Sequence, residues 1–326
     1  MNQTTDLQPE QHAENCPLCA SGTSEILAHQ LRRGNGIVRY CPACAHGYLV
    51  QKLAVDAKEY YSGQYRKEYS HNSEPTATNA QELFNVYKNF QRDRLRHVSA
   101  CLNENTQLLE IGASAGQFLT HIREKVLRVH AIELDKACHE YLVNELGIEA
   151  EAEYLENSKF ADGAYDVICA FQVLEHVEDP VEFLRTIRKA MKPGGVGFIE
   201  VPNLHDPLLS VWNVPTYQRF FYHSAHLHYF TEASLSKVAR DAGFRPDRVE
   251  IAFTQDYNLL NHLHWIMNNE PQPDCFVGLS EIRLAGTDHG MSDWLTEEIS
   301  ALNSRYIDRL VEAKKTSNMI MKLINN

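Results

Sequence analysis

Between residues 107 and 253 the chain alternates short apolar runs with amphipathic stretches, and this alternation restricts the fold more than any other feature. Residues 107–112, 129–134, 165–173, 196–201 and 248–253 read as strands. Residues 117–126, 136–146, 180–191 and 232–242 carry helical spacing between them. Compact apolar runs suit strands buried on both faces, and strands separated by helices build a parallel sheet covered on both sides. The expected class is therefore a doubly wound α/β fold. A further helix is expected over 79–101, through Leu83, Val86, Tyr87, Phe90, Arg94, Leu95 and Val98. At the other end, 292–323 reads as an amphipathic helix through Trp294, Leu295, Ile299, Leu302, Ile307, Leu310 and Val311, open to a homodimer contact.

At roughly 150 residues per domain, 326 residues leave room for about two domains. The organisation expected is a flexible lead (1–14), a cysteine segment (15–51), a tyrosine-rich connector (52–78), a central domain (79–265) and a polar linker with the C-terminal helix (266–326). With 43 acidic and 31 basic residues the formal charge is −12, which argues against a nucleic acid as main partner, because phosphate backbones are bound by excess Lys and Arg. No apolar run approaches the ~18 residues of a membrane span. The polar first residues lack a secretory pattern, so a cytoplasmic location is expected.

Eight cysteines include two close pairs, Cys16-Pro-Leu-Cys19 and Cys41-Pro-Ala-Cys44. Two C-x2-C pairs suit a tetrahedral Zn2+ site in which each knuckle supplies two thiolates. Four thiolates close the coordination shell, so Cys16, Cys19, Cys41 and Cys44 are expected to hold a structural zinc. Its binding would supply folding free energy to a segment too small for a core of its own. The competing reading, a redox-active pair, would need one such motif only. His46 reads as a bystander.

The strand Leu108-Leu109-Glu110-Ile111 runs into Gly112-Ala113-Ser114-Ala115-Gly116 and then a helix. Small residues let the backbone approach a ligand, and a helix start offers free N–H groups. The next strand ends in Glu133-Leu134-Asp135, where a carboxylate can accept two hydrogen bonds from a ribose diol. Three more segments follow in order: Tyr165-Asp166-Val167-Ile168-Cys169-Ala170, Leu174-Glu175-His176-Val177-Glu178-Asp179-Pro180, and Met191-Lys192-Pro193-Gly194-Gly195. Across roughly residues 80–255 these motifs resemble the class I S-adenosylmethionine-dependent methyltransferases. The resemblance implies a Rossmann-like methyltransferase sheet with S-adenosylmethionine as cofactor. It places Glu110, Gly112, Ala113, Ser114 and Gly116 around the methionine part and Glu133 on the ribose hydroxyls. Leu134 would lie against adenine, Glu153 and Tyr154 at its amino edge, and Phe171 and Gln172 beside the sulfonium. A dinucleotide dehydrogenase is the competing reading, but its G-x-G-x-x-G pattern is absent.

Methyl transfer is an in-line displacement, so alignment of donor and acceptor matters most, and a weak acceptor also needs a base. Residues 220–231, after the fifth strand, are densest in candidates, and histidine titrates in the useful range. His223, His226 and His228 are the candidate bases there, with Tyr222 beside them. The cysteine segment, connector and core together are similar to zinc-containing sugar methyltransferases, some of which C-methylate nucleotide-linked 4-keto deoxysugars. Their corresponding segment reads Tyr-His-Glu-His, with the last histidine as base; the resemblance makes His226 the expected base, with His223 and Tyr222 as further catalytic candidates, though Ala225 stands where the glutamate falls. The resemblance implies a small-molecule or glycan-precursor acceptor, a nucleotide-linked sugar above all. The alternatives are an RNA base methyltransferase, disfavoured by the charge, and a non-catalytic binding protein on this fold, disfavoured by the intact Glu110, Gly112, Gly116 and Glu133.

Overall fold

The computed structural model describes residues 15–50, 57–69, 79–162 and 165–326. The expected lead over 1–14 and the connector's 52–56 and 70–78 lie outside the described residues. Eleven strands are seen among those described: β1 Glu25–Gln30, β2 Asn35–Cys41, β3 His46–Leu49, β4 Gln107–Ile111, β5 Arg128–Ile132, β6 Glu149–Glu151, β7 Tyr165–Phe171, β8 Met191–Pro202, β9 His228–Tyr229, β10 Val249–Thr254 and β11 Asn318–Ile324. Seven form the central sheet in the order β10-β11-β8-β7-β4-β5-β6, and four form a smaller sheet in the order β1-β2-β3-β9. Within the central sheet β4 to β8 run parallel, and β11 lies antiparallel to both β8 and β10. The expected α/β class is what the structure shows. In β4 and β7 all but the first and second residue, respectively, are buried, as strands covered on both faces must be. No helix among the described residues is long and apolar enough to cross a membrane.

The expected helix over 292–323 is corrected. The helix spans His289–Glu312, ends beside a left-handed Lys314, and the chain then re-enters the core as β11. The run Met319-Ile320-Met321 is buried throughout, with Leu323 buried beyond Lys322, which suits a strand between two others and gives no single helical stripe. The helix itself buries Leu310 but leaves Met291, Trp294, Leu295 and Leu302 exposed. The central domain therefore does not end at 265, since its sheet includes the last strand. The expected single helix over 79–101 is also two, Ala80–Tyr87 and Arg92–Val98, with the Gln91 side chain donating to the Tyr87 carbonyl at the break.

The cysteine segment is equally incomplete alone, because its sheet takes β9 from the loop after β8. Gly47 pairs with Tyr229, and a Cβ at Gly47 would lie 2.9 Å from the Tyr229 Cβ, so only glycine permits this approach. His46 Nε2 lies 3.0 Å from His228 Nδ1. Burial pushes both imidazoles down, His228 to about 4, so the pair is neutral and shares a proton as an ordinary hydrogen bond. Arg32 stacks over the Phe220 ring and donates from Nε to the Phe220 carbonyl at 2.6 Å.

Met321 is fully buried on β11. Met321→Ala is expected to cost about 2–5 kcal/mol in urea unfolding, and Leu302→Ala, on the exposed helix face, under about 0.5 kcal/mol. Equal costs would contradict this placement of the C-terminal residues.

Candidate functional site

The carboxyl ends of β4, β5, β7, β8 and β10 open into one cleft of about 1750 Å³. This is the edge at which doubly wound sheets bind ligands. At its centre the chain turns sharply after β4. Gly112 has φ +73°, and a Cβ there would stand 2.5 Å from Val173 Cγ2, so both conformation and space demand glycine. Ser114, at φ 49°, is also left-handed, and its N–H donates to Glu133 Oε2 at 2.6 Å. The Asp135 N–H donates to Glu133 Oε1 at 2.7 Å, and Asp135 in turn caps the helix Lys136–Asn144. Two backbone donors thus fix the Glu133 carboxylate on the wall of the cleft. Burial raises its pKa while these N–H groups oppose the shift.

Glu110, Gly112, Ala113, Ser114, Glu133, Leu134, Tyr154, Phe171 and Gln172 all line the cleft. Two expected residues do not. Gly116 packs against the helix beyond β5, where a Cβ would meet Leu146 at 2.7 Å and Leu142 at 2.8 Å, so its glycine is a packing requirement. Glu153 is held outward by Lys58 Nζ at 2.6 Å. Gln172 carries φ 59° directly after β7, backbone strain of the kind stored at functional sites.

Glu110 is buried, and its Oε2 has no hydrogen-bond partner among the described residues. Burial pushes its carboxyl up to about 8, with Glu133 and Glu200 adding to the shift and Arg94 opposing it. Arg94, placed by its spacing only on the helical stretch, is a further residue of the cleft. Its guanidinium lies over the Phe171 ring at 4.7 Å, and both Nε and Nη2 bind Glu200 of β8. Gln255, Asp256 and Asn258 complete this side of the cleft, with Ser300, Asn303 and Ser304 from the C-terminal helix beyond them. Tyr61 and Tyr65 of the connector close the opposite side, and Arg66 anchors them there by binding Asp135 at 3.2 Å.

The side chains expected to supply a base are packed behind the wall. His176 and His228 line the cleft, but Tyr222, His223 and His226 do not. His226 Nε2 and His176 Nε2 each lie 4.0 Å from Glu175 Oε1. Glu175 is fully buried without a partner for either oxygen among the described residues, and burial raises its carboxyl to about 8. Burial and the neighbouring histidines drive His223 and His226 well below the ordinary imidazole range, so both stay neutral. Tyr222 sits among the Phe221 and Tyr229 rings.

Away from the cleft, Cys16 Sγ is 3.5 Å from Cys44 Sγ and Cys19 Sγ 3.5 Å from Cys41 Sγ, with all four sulfurs within 4.8 Å of one another. A tetrahedral site with Zn–S bonds of about 2.3 Å separates its sulfurs by about 3.8 Å. The donor set fits such an ion.

The Glu110 carboxyl is protonated in the folded chain over a range in which it is ionised when unfolded, so its contribution to stability falls as pH rises from about 4.5 towards about 8. Glu110→Gln removes this titration. The variant's advantage in melting temperature should therefore grow from about pH 5 to about pH 8. A pH-independent difference would contradict the assignment.

Residues 82–249, just over half of the chain, match the family model described as a methyltransferase domain. The chain is 35% identical over 113 residues to the ubiquinone biosynthesis O-methyltransferase of Caulobacter vibrioides, covering 31% of this chain and 42% of that protein. With the enzyme of the same name from Hydrogenovibrio crunogenus, identity is 26% over 159 residues, covering 43% and 62%. The chain spans about two fifths of the length of most of these curated relatives. Among solved structures, a SAM-dependent methyltransferase from Archaeoglobus fulgidus aligns with a TM-score of 0.48 at 17% identity, over 75% of this chain and 97% of that one. A phosphoethanolamine N-methyltransferase 2 from Haemonchus contortus, in complex with S-adenosyl-L-methionine, aligns with a TM-score of 0.48 at 13% identity, over 86% and 62%. With the family model matched from the helix Ala80–Tyr87 to the start of β10, the chain belongs to the S-adenosylmethionine-dependent methyltransferases.

Proposed function

We propose that this chain transfers the methyl group of S-adenosylmethionine to a hydroxyl of a sugar carried on a nucleotide or other glycan precursor. The cofactor's fit is supported by two features of the cleft. Glu110 offers an unpaired buried oxygen to a cationic group, and the Gly112 turn leaves backbone exposed where a side chain would fill the space. In this reading Glu110 holds the α-ammonium, with Gly112, Ala113 and Ser114 against the methionine portion. Glu133 accepts from the ribose hydroxyls, its carboxylate already oriented by the Ser114 and Asp135 N–H groups. Leu134 and Tyr154 flank the adenine, and Phe171 with Gln172 borders the sulfonium. When bound, the cofactor supplies an electrophilic methyl carbon; the protein's task is to align an acceptor with it.

The observation that carries the acceptor class is the polar wall beside Gln172. Arg94, Glu200, Gln255, Asp256 and Asn258 line it, a polar surface suited to a polyhydroxylated ring. Arg92 and Arg283, both with largely exposed side chains, stand on the cleft lining and suit a diphosphate. The O-methyltransferase names of the curated relatives support oxygen as the atom methylated. For the cysteine cluster we propose a structural Zn2+, which would tie β1 to β3 to the loop carrying β9.

The test supplies methyl-labelled S-adenosylmethionine and the purified full chain to a fractionated cell extract. Label is expected in a ribonuclease-resistant nucleotide-sugar or glycan-precursor fraction. Label confined to ribonuclease-sensitive material, or to a solvent-extractable quinone fraction, would contradict the acceptor class. For the zinc, elemental analysis should find about one equivalent per chain. Cys16→Ser with Cys41→Ser should remove it and lower the melting temperature; full metal retention would contradict the site.

A further inference from the structure

We propose that Asp256 is the catalytic base, accepting the proton of the acceptor hydroxyl as its oxygen is methylated. This inference rests on the reading of the cleft as a site for a hydroxyl acceptor. Parallel β7, β8 and β10 end at the same edge, and antiparallel β11 begins there, with Asn318 in register with Pro202 and Thr254. Asp256, two residues beyond β10, therefore stands close to Gln172, directly after β7. A defined chain of hydrogen bonds joins them. Gln172 Nε2 donates to Asn318 Oδ1 at 3.2 Å and to Glu200 Oε1 at 3.0 Å, and Asn318 Nδ2 donates to Asp256 Oδ2 at 2.6 Å. The Gln172 donor fixes which way the Asn318 amide faces, so its N–H must point at Asp256. The Asp256 backbone N–H is held in turn by Ser317 Oγ at 3.1 Å.

A carboxylate fixed through one oxygen can use the other for chemistry. The Asn318 contact engages Asp256 Oδ2, leaving Oδ1 to the cleft that the exposed residue lines. Asp256 stays exposed within the cleft, and the partial desolvation there, with the nearby Glu200, raises its carboxyl to about 6, opposed by Arg94 and Asn318. The charged and titratable groups facing it are Glu200, Arg94, Asp93, Asp206 and Tyr257. A base with such a pKa is ionised at neutral pH yet holds a proton better than an ordinary aspartate. In the transfer, an acceptor oxygen lone pair forms the new O–C bond while the S–CH3 bond breaks. The bonding pair stays on sulfur, giving the neutral thioether, and the hydroxyl proton passes to Asp256 Oδ1. The sulfonium charge and the carboxylate charge are lost together. None of the histidines at 223 and 226 reaches this wall.

The experiment compares wild type, Asp256→Asn and Asp256→Glu with methyl-labelled S-adenosylmethionine and the sugar-containing extract fraction. Cofactor affinity is measured by calorimetry, and the Asp256 carboxyl is followed by 13C NMR in aspartate-labelled protein. Asp256→Asn should keep cofactor affinity and lower kcat by about 10²–10⁴-fold. The acid limb of wild-type kcat/KM, rising through about pH 6, should vanish from the residual activity. The carboxyl resonance missing from Asp256→Asn should titrate near the same pH in the wild type, and Asp256→Glu should recover part of the rate. A variant with wild-type turnover, or an Asp256 that titrates as an ordinary aspartate, overturns the inference and leaves the proposed function standing. A wild type that binds cofactor but labels no hydroxylated acceptor overturns the proposed function, and the inference falls with it.

Discussion

The insertion of β11 between β8 and β10 governs the architecture of the site. Seven residues from the end of the chain bridge two strands that would otherwise be a gap apart, and Met319, Ile320 and Met321 vanish into the two faces of the sheet. The hydrophobic gain from this burial is the driving force. Its register then places Asn318 where it can bind Gln172 on one side and Asp256 on the other. The same strand brings the preceding helix, His289–Glu312, over the mouth of the cleft, where Ser300, Asn303 and Ser304 line it. In the proposed reading, residues after 254 thus build most of the acceptor side, and residues 110–172 most of the cofactor side.

Electrostatics divides the cleft in the same way. Glu110, Glu200 and Asp256 gather around Arg94, whose stacking on Phe171 and bidentate grip on Glu200 make it a rigid part of the wall, while Glu133 faces Arg66. Burial and neighbouring carboxylates raise the pKa values of Glu110 and Asp256, and the cluster favours a positively charged guest. A sulfonium with an α-ammonium group is such a guest, and its arrival relieves the repulsion. The small sheet adds a mechanical constraint. Through β9, the His46–His228 contact and Arg32 on Phe220, the cysteine cluster is coupled to the loop behind the cleft, so a metal there would stiffen the site without touching it.

What could be read from the sequence was what one local segment builds alone. The turn after β4 and Glu133 after β5 were legible because glycine at a left-handed position and an acid at a strand end leave a signature within a few residues. The paired cysteines were legible for the same reason. Arg94 and Glu200 meet across 106 residues, and Asn318 and Asp256 across 62, with nothing local to mark either pair. The last strand reads as a continuation of the preceding helix because an apolar run buried on both faces has no period of its own. His226 stands out in the sequence by its match to the last histidine of the Tyr-His-Glu-His segment; packing against Glu175 and His176 decides its surroundings, and that match does not carry this information.

The central claim is that the cleft at the ends of β4, β5 and β7 holds S-adenosylmethionine. Amide hydrogen exchange of the full chain with and without the cofactor tests it most directly. The account predicts slower exchange at 112–116, 133–135, 154–156 and 171–173, with the cysteine segment unchanged. Protection confined to other surfaces, or none at saturating cofactor, would contradict it.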